Sequence, residues 1–339
     1  ACPYASRCPL LRARRSVFDA DVVVANHALL LADQRSAGGG ALLPSLDDVI
    51  VVVDEAHHLP DVAVAAAAAS TVLGGHAKRI RESIDASRRL AAARGKAYGP
   101  SILDRLSSAE LEVVAVLDKL ALLVTAKLGA STAETTRRYG RTFGKPAQAR
   151  LSLQDLSPLL SDLSSAAVEA AWIQKQLERE KEKLVKDPPV GVGTGALSRL
   201  SREVGDAGDY VESVALTLSL LSSEDDPRHA PTARWVSRDA RGAVEVHASP
   251  VDASGWLASH LWRPAFGAVA VSATLRAMGE FRHFAERSGL SRVDDVTFAA
   301  LPSPFDLEGQ AVLRVPAMVS DPSSEDEYIA EVMMELEES

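Results

Sequence analysis

The segment Val49-Ile50-Val51-Val52-Val53, followed at once by Asp54-Glu55-Ala56-His57, constrains this chain more than any other stretch. A short, unbroken aliphatic run fits a strand covered on both faces, as in a parallel sheet, where the usual apolar-polar alternation disappears. An acidic pair directly after such a strand lies at the carboxyl edge of the sheet, where ligands bind in open α/β folds. One carboxylate there can hold Mg²⁺, generally through water, and the second can orient and deprotonate an attacking water. A bare Asp-Glu pair would be a solvated turn; the valines before it and Ala56-His57 after it favour the catalytic reading.

The rest of the chain divides into three zones. Residues 1 to about 59 read as α/β: a short basic helix over 12–18, a β-branched run at 22–25, and then the valine strand. Residues 60 to about 232 carry helical spacing over 80–93, 102–128, 159–184 and 197–221, with Leu111, Val114, Leu117 and Leu120 as an amphipathic repeat. Breaks fall at Gly99-Pro100, at 140–146 and at 188–195. From about 233 the α/β pattern returns. Residues 234–237 and 244–248 form a hairpin around Arg241-Gly242, 256–262 is helical, and 268–271 is a buried strand ending at Ser272-Ala273-Thr274. A helix follows over about 278–288. Pro302 and Pro304 mark an extended linker, and 325–338 has the character of a further helix.

Several classes are excluded by composition. With 339 residues and 47% hydrophobic content a sizeable core can be buried, while a net charge of −9 argues against a uniformly basic nucleic-acid binder. No apolar h-region follows Ala1, and no run reaches the ~18 apolar residues that cross a bilayer. A cytoplasmic protein without membrane contact is expected. The two cysteines, Cys2 and Cys8, are too few for a disulfide scaffold. The start at Ala1-Cys2, with no initiator methionine, suggests a piece of something longer.

Asp54-Glu55-Ala56-His57 resembles the DEAH form of the Walker B motif of superfamily 2 helicases. Ala20-Asp-Val-Val-Val-Ala-Asn-His27 lies upstream of it, and Cys2-Pro3-Tyr4 with Cys8-Pro9 lies before that. Val271-Ser272-Ala273-Thr274-Leu275 and Ser303-Pro304-Phe305 follow downstream. In this order the motifs resemble the iron–sulfur helicases of the DinG/YoaA branch, which are XPD-like. The specific matches fall within 1–59 and 233–306.

The resemblance implies a RecA-like, parallel-sheet motor domain interrupted by a mostly helical arch insertion. Residues 1–19 would belong to an iron–sulfur subdomain, 20–59 to motor domain 1, 60–232 to the arch, 233–290 to motor domain 1 again, and 291–339 to a linker and the start of motor domain 2. It implies Asp54 as the Mg²⁺ residue and Glu55 as the base, with His57 completing the catalytic box. Ser272 and Thr274 would couple hydrolysis to strand movement, although Ser-Ala-Thr after a strand can also cap a helix. The implied cofactors are ATP, Mg²⁺ and a 4Fe-4S cluster. Cys2 and Cys8 match the last two cluster ligands, and the other two would precede Ala1. Taken alone, two cysteines would be ordinary thiols.

Gly140-Arg-Thr-Phe-Gly144-Lys145 superficially resembles a phosphate loop. However, three residues rather than four separate its glycines, and Pro146 stands where a Ser or Thr would meet Mg²⁺. The glycines at 191–195 follow two prolines, not a strand. With no phosphate loop in these residues, the 339-residue chain alone is not expected to hydrolyse ATP. Arg137, Arg138 and Arg141, with Tyr139 and Phe143, mix cations and rings as single-strand binders do; a solvated loop is the plainer alternative. Asn26 and His27, and the patch Arg12, Arg14 and Arg15, are further nucleic-acid candidates. The expected function is a DNA helicase moving 5′ to 3′ on single strands in repair or replication. It would act as a monomer on single-stranded, forked or branched DNA. The alternatives are an RNA-acting relative and a non-hydrolytic nucleic-acid-binding module.

Overall fold

The computed structural model describes residues 9–35, 40, 42–93, 95–129, 136–138, 141–143, 146–186, 194–225, 230–302, 305, 306, 309 and 315–337. They fall into two compact units, Ala1–Val296 and Thr297–Ser339. In chain order the first unit contains α1 (Pro9–Phe18), α2 (His27–Arg35), β1 (Ile50–Val53), α3 (Leu59–Ala67), β2 (Ala69–Val72), α4 (His76–Ala93) and α5 (Pro100–Leu128). It continues with β3 (Thr136–Arg138), β4 (Arg141–Phe143), β5 (Ala147–Arg150), α6 (Leu153–Leu156), α7 (Leu160–Lys186) and α8 (Thr194–Ser222). It ends with β6 (Thr232–Arg238), β7 (Val244–Pro250), α9 (Ser254–Leu257), β8 (Gly267–Ala270) and α10 (Arg282–Ser288). The fold is α/β.

Two cores organise the first unit. The smaller one gathers Leu31, Val51, Val53, Leu59, Leu257, Leu261 and Phe284 around a parallel β1–β8 pair, in register from Ile50↔Gly267 to Val53↔Ala270. The larger one fills the space between α4, α5, α7 and α8, and is floored by an antiparallel sheet of order β2-β7-β6-β5. Chemistry at the ends of the elements sets their limits. Pro100 opens α5 directly after Gly99, where its missing N–H costs nothing. Arg234, almost wholly buried, is matched by Asp225 at 3.1 Å and by the carbonyls of Leu221, Ser223 and Thr232, so its charge is not stranded.

The structure departs from the sequence-based expectations at identifiable points. Residues 22–25 form neither helix nor strand. A strand needs a neighbour to satisfy its N–H and C=O groups, and among the described residues none pairs with this run. The valine strand is covered on one face only: Ile50 and Val52 are 65% and 66% exposed, while Val51 and Val53 are buried. In α5 the buried line is Leu106, Ala109, Val113, Val116, Leu117, Leu120 and Val124. Strict three-residue spacing drifts against the 3.6-residue turn, which leaves Leu111 on the solvent face. The helix expected from 278 begins only at Arg282; before it, Ala277 and Glu280 close a tight turn through left-handed Met278 and Gly279.

The largest difference concerns the hairpin of β6 and β7. It pairs with β2 and β5, and Val236, Val246 and Ala248 lie in the helical core. Residues 232–250 are therefore continuous with the helical body rather than with the parallel sheet, so the expected boundary at 232/233 cuts through this sheet. The second unit contains one helix among its described elements, Glu325–Glu337. There the Ser320 hydroxyl, with the Val319 and Ser320 amides at 2.7 Å each, donates to Glu331 and holds its carboxyl below the usual range.

Candidate nucleotide-hydrolysis site

The ladder between β1 and β8 continues past the strand ends. Val271 N donates to Val53 O at 2.9 Å, and Ala56 N donates to Val271 O at 3.0 Å. Residues 54–57 are thereby laid beside residues 271–274. The chain turns sharply at Glu55, whose φ of 46° and ψ of 44° put a non-glycine residue in the left-handed region. Such a residue carries strain of order 1–3 kcal/mol and is found disproportionately at working sites. The Asp54 carboxylate braces the turn by accepting the Glu55 N–H on Oδ1 at 2.9 Å.

Two further contacts fix the strand end. Asn26 caps α2 by accepting the Leu29 N–H on Oδ1 at 2.8 Å. His27, the first residue of α2, places Nε2 at 2.8 Å from Asp54 O. A carbonyl only accepts, so Nε2 must carry the ring proton. At the far end of α2, Arg35 donates to Ala66 O and Ala68 O at 3.1 and 3.2 Å, holding the end of α3 where the chain crosses to β2. Arg287 reaches Asp61 at 2.7 Å and ties α10 to α3.

Ser272 is the centre of the site. Its Oγ lies 3.2 Å from Glu55 Oε2 and 2.8 Å from His57 Nδ1, and it accepts the Thr274 N–H at 3.2 Å. Thr274 Oγ1 is 3.3 Å away. His57 Nδ1 is itself 3.3 Å from Glu55 Oε2. A hydroxyl has one proton, so it cannot donate to both neighbours at once. With Glu55 ionised, the arrangement that satisfies every group runs His57 Nδ1–H to Ser272 Oγ, and Ser272 O–H to Glu55.

Asp54, Glu55, His57, Ser272 and Thr274 are thus brought together, with Asn26 and His27 behind them. Cys2 and Cys8 lie outside the described residues. Arg137, Arg138 and Arg141 fall on the β3–β4 pair, whose backbone alone is described. Two contacts have no signal in the sequence: the His27 bond to Asp54 and the Arg35 bonds at the crossover. Both end on backbone carbonyls, which carry no residue signature. Among the described residues, no group of three or more His, Cys, Asp or Glu side chains is placed to hold a metal ion. No helix there is long and apolar enough to cross a membrane.

Residues 1–73 match the DEAD_2 family model. The chain is 30% identical over 331 residues to the ATP-dependent DNA helicase DinG of Photobacterium profundum, covering 95% of this chain and 45% of the relative. It is 30% identical over 339 residues to the protein of the same name from Escherichia coli K12, covering 98% and 45%. The Salmonella typhimurium relative is 28% identical over 344 residues, again covering 98% and 45%. The chain spans about half the length of these curated relatives. The chain is thus similar along nearly its whole length to the DinG helicases, and its fold sets the Glu55 carboxylate against Ser272 at the ends of the two parallel strands.

Proposed function

We propose that this chain is part of an ATP-driven motor that moves 5′ to 3′ along single-stranded DNA and opens forked or branched DNA during repair or replication. The observation that carries this reading is the contact of Ser272 with both Glu55 and His57, across 217 and 215 positions of sequence. Glu55 takes a proton from the attacking water, and Ser272, bonded to it, transmits the change to the segment that leads into α10.

Asp54 fits a magnesium-binding role. It is exposed, Oδ1 is occupied by the Glu55 N–H, and a single carboxylate beside phosphates and water is the usual protein share of such a site. The ion, when bound with ATP, neutralises charge that develops on the phosphates. Asn26 and His27, whose side chains serve α2 and the strand end, act as scaffold rather than as DNA contacts. Arg137, Arg138 and Arg141 supply phosphate contacts from the helical body.

In this reading the helical body, with the sheet that floors it, is the arch, and β1, β8, α2, α3, α9 and α10 belong to motor domain 1. Cys2 and Cys8 give two of the four thiolates of a 4Fe-4S cluster, the others coming from outside these 339 residues. The protein acts as a monomer in the cytoplasm.

One preparation of full-length protein tests the reading. Purified without oxygen, it is assayed for iron and for ATP hydrolysis with single-stranded DNA or RNA. The expected outcome is about four irons per chain and hydrolysis stimulated at least ~10-fold by DNA and less by RNA, in line with the loss expected when a positioned catalytic contact is missing. Equal or greater stimulation by RNA would transfer the motor to that substrate. Absence of iron would leave Cys2 and Cys8 as ordinary thiols.

A further inference from the structure

We propose that the face of the four-stranded sheet turned away from the helices is a platform on which bases of a single DNA strand stack, centred on Trp235 and His247. This rests on the helicase reading for the identity of the strand, and on the sheet alone for its place.

Register puts the residues in one row. Arg150 of β5 lies opposite Trp235 of β6, Trp235 opposite His247 of β7, and His247 opposite Ser70 of β2. Side chains alternate across a strand, so this row shares one face, while Ala149, Val236, Val246 and Thr71 share the other. The latter face is the one packed into the core: Val236 and Val246 are fully buried there. Along the row Trp235 and His247 are half-buried, and Arg150 on the edge strand is exposed.

The two rings stack face to face across the strands, so a base extends the pair by stacking on its outer face. Their centroids are 4.9 Å apart and their planes differ by 4°. Ser237, two residues along the same face, holds His247 Nε2 at 2.8 Å, so the imidazole is not free to turn. Burial lowers the His247 pKa from its usual value, which keeps the ring neutral at pH 7 and leaves a π surface. A cross-strand aromatic pair can serve the sheet alone; what marks this one is the charge beside it.

Residues 135–154 contain Arg137, Arg138, Arg141, Lys145 and Arg150 and no Asp or Glu, in a chain whose net charge is −9. That segment supplies β5, the edge strand beside Trp235. On the same face Glu245 of β7, opposite Ser237, is bonded to Ser70 of the other edge strand at 2.6 Å. Charge therefore changes sign across the face. A strand whose phosphates follow the β5 edge directs its bases inward over Trp235, in the combination of cationic track and aromatic stacking that single-strand binders use without reading sequence.

The test uses full-length protein, no nucleotide, and oligothymidylate carrying 5-iodouracil, which cross-links to stacked aromatic rings. The expected result is a cross-link mapped to Trp235 or His247. Trp235→Ala should weaken oligothymidylate binding at least ~5-fold, and Trp235→Phe, which still stacks, by much less. Binding of a blunt duplex, whose bases are already stacked, should be equal in all three proteins. Cross-links confined to other residues, or equal single-strand affinity in Trp235→Ala, would overturn the proposal. A parallel loss of duplex binding in Trp235→Ala would overturn it too, because the effect would then be one on folding. ATP hydrolysis plays no part in any of these readouts, so the platform and the hydrolytic reading fail separately.

Discussion

Glu55→Gln in the full-length protein leaves ATP and DNA bound and lowers hydrolysis roughly 10²–10⁴-fold, the usual worth of a positioned general base. The amide keeps the length and shape of the carboxylate. Its oxygen can still accept from Ser272 Oγ, now 3.2 Å from Oε2, so the site stays assembled. It cannot take a proton from water. The left-handed backbone at residue 55 is as tolerable for Gln as for Glu, so the turn survives. Single-turnover hydrolysis measured beside equilibrium binding of a fluorescent ATP analogue checks both halves. Turnover near the wild-type rate would remove Glu55 from the role of base, and a parallel loss of nucleotide binding would show the substitution to be structural.

Gly289→Ala is expected to destabilise the protein by roughly 3 kcal/mol or more, combining backbone strain with overpacking. Gly289 ends α10 with φ +80°, and an added Cβ would lie 2.1 Å from Ser254 O and 2.9 Å from Ser254 C. Both are backbone atoms at the start of α9, so neither can swing aside. Next to this contact Trp262 Nε1 donates to Ser288 O at 2.7 Å, so the clash reaches the core behind β1 and β8. Gly242, with φ +88° and nothing within 4 Å of its Cβ position, isolates strain from collision. Gly242→Ala should cost about 1 kcal/mol, whereas Gly289→Ala should lower the melting temperature by roughly 5–10 °C. Equal melting of the two variants would contradict the close approach at Gly289.

Much of this candidate site is legible in the sequence because the chemistry proposed for it needs particular side chains in a fixed order. Asp54 and Glu55 are marked by the strand before them, and Ser272 and Thr274 by the strand Gly267–Ala270. What spacing cannot supply is the register that brings the two strands together. Ile50↔Gly267 pairing is a long-range choice made by the core, and it alone decides that Ser272 meets Glu55 rather than Asp54.

The same limit applies to the partners of the β6–β7 hairpin. The β-branched and aromatic residues of Thr232–Arg238 announce a strand, but β2 and β5 are only four residues each and lie among helices. Their partners are found through the buried face they share, not through any local pattern. The run 22–25 shows the converse: propensity for a strand is not a strand without a neighbour to bond.

The most direct measurement of the coupling claim is the number of base pairs separated per ATP hydrolysed by full-length Ser272→Ala. The substitution keeps the backbone ladder through Val271 while removing the hydroxyl that joins Glu55, His57 and Thr274. Hydrolysis should stay within about 10-fold of wild type, since Glu55 remains, while strand separation per ATP falls by roughly 10-fold or more, in the range expected when an interaction made only during the productive step is lost. Equal base pairs per ATP in the variant and the wild type would contradict the assignment of Ser272 as the link between hydrolysis and movement.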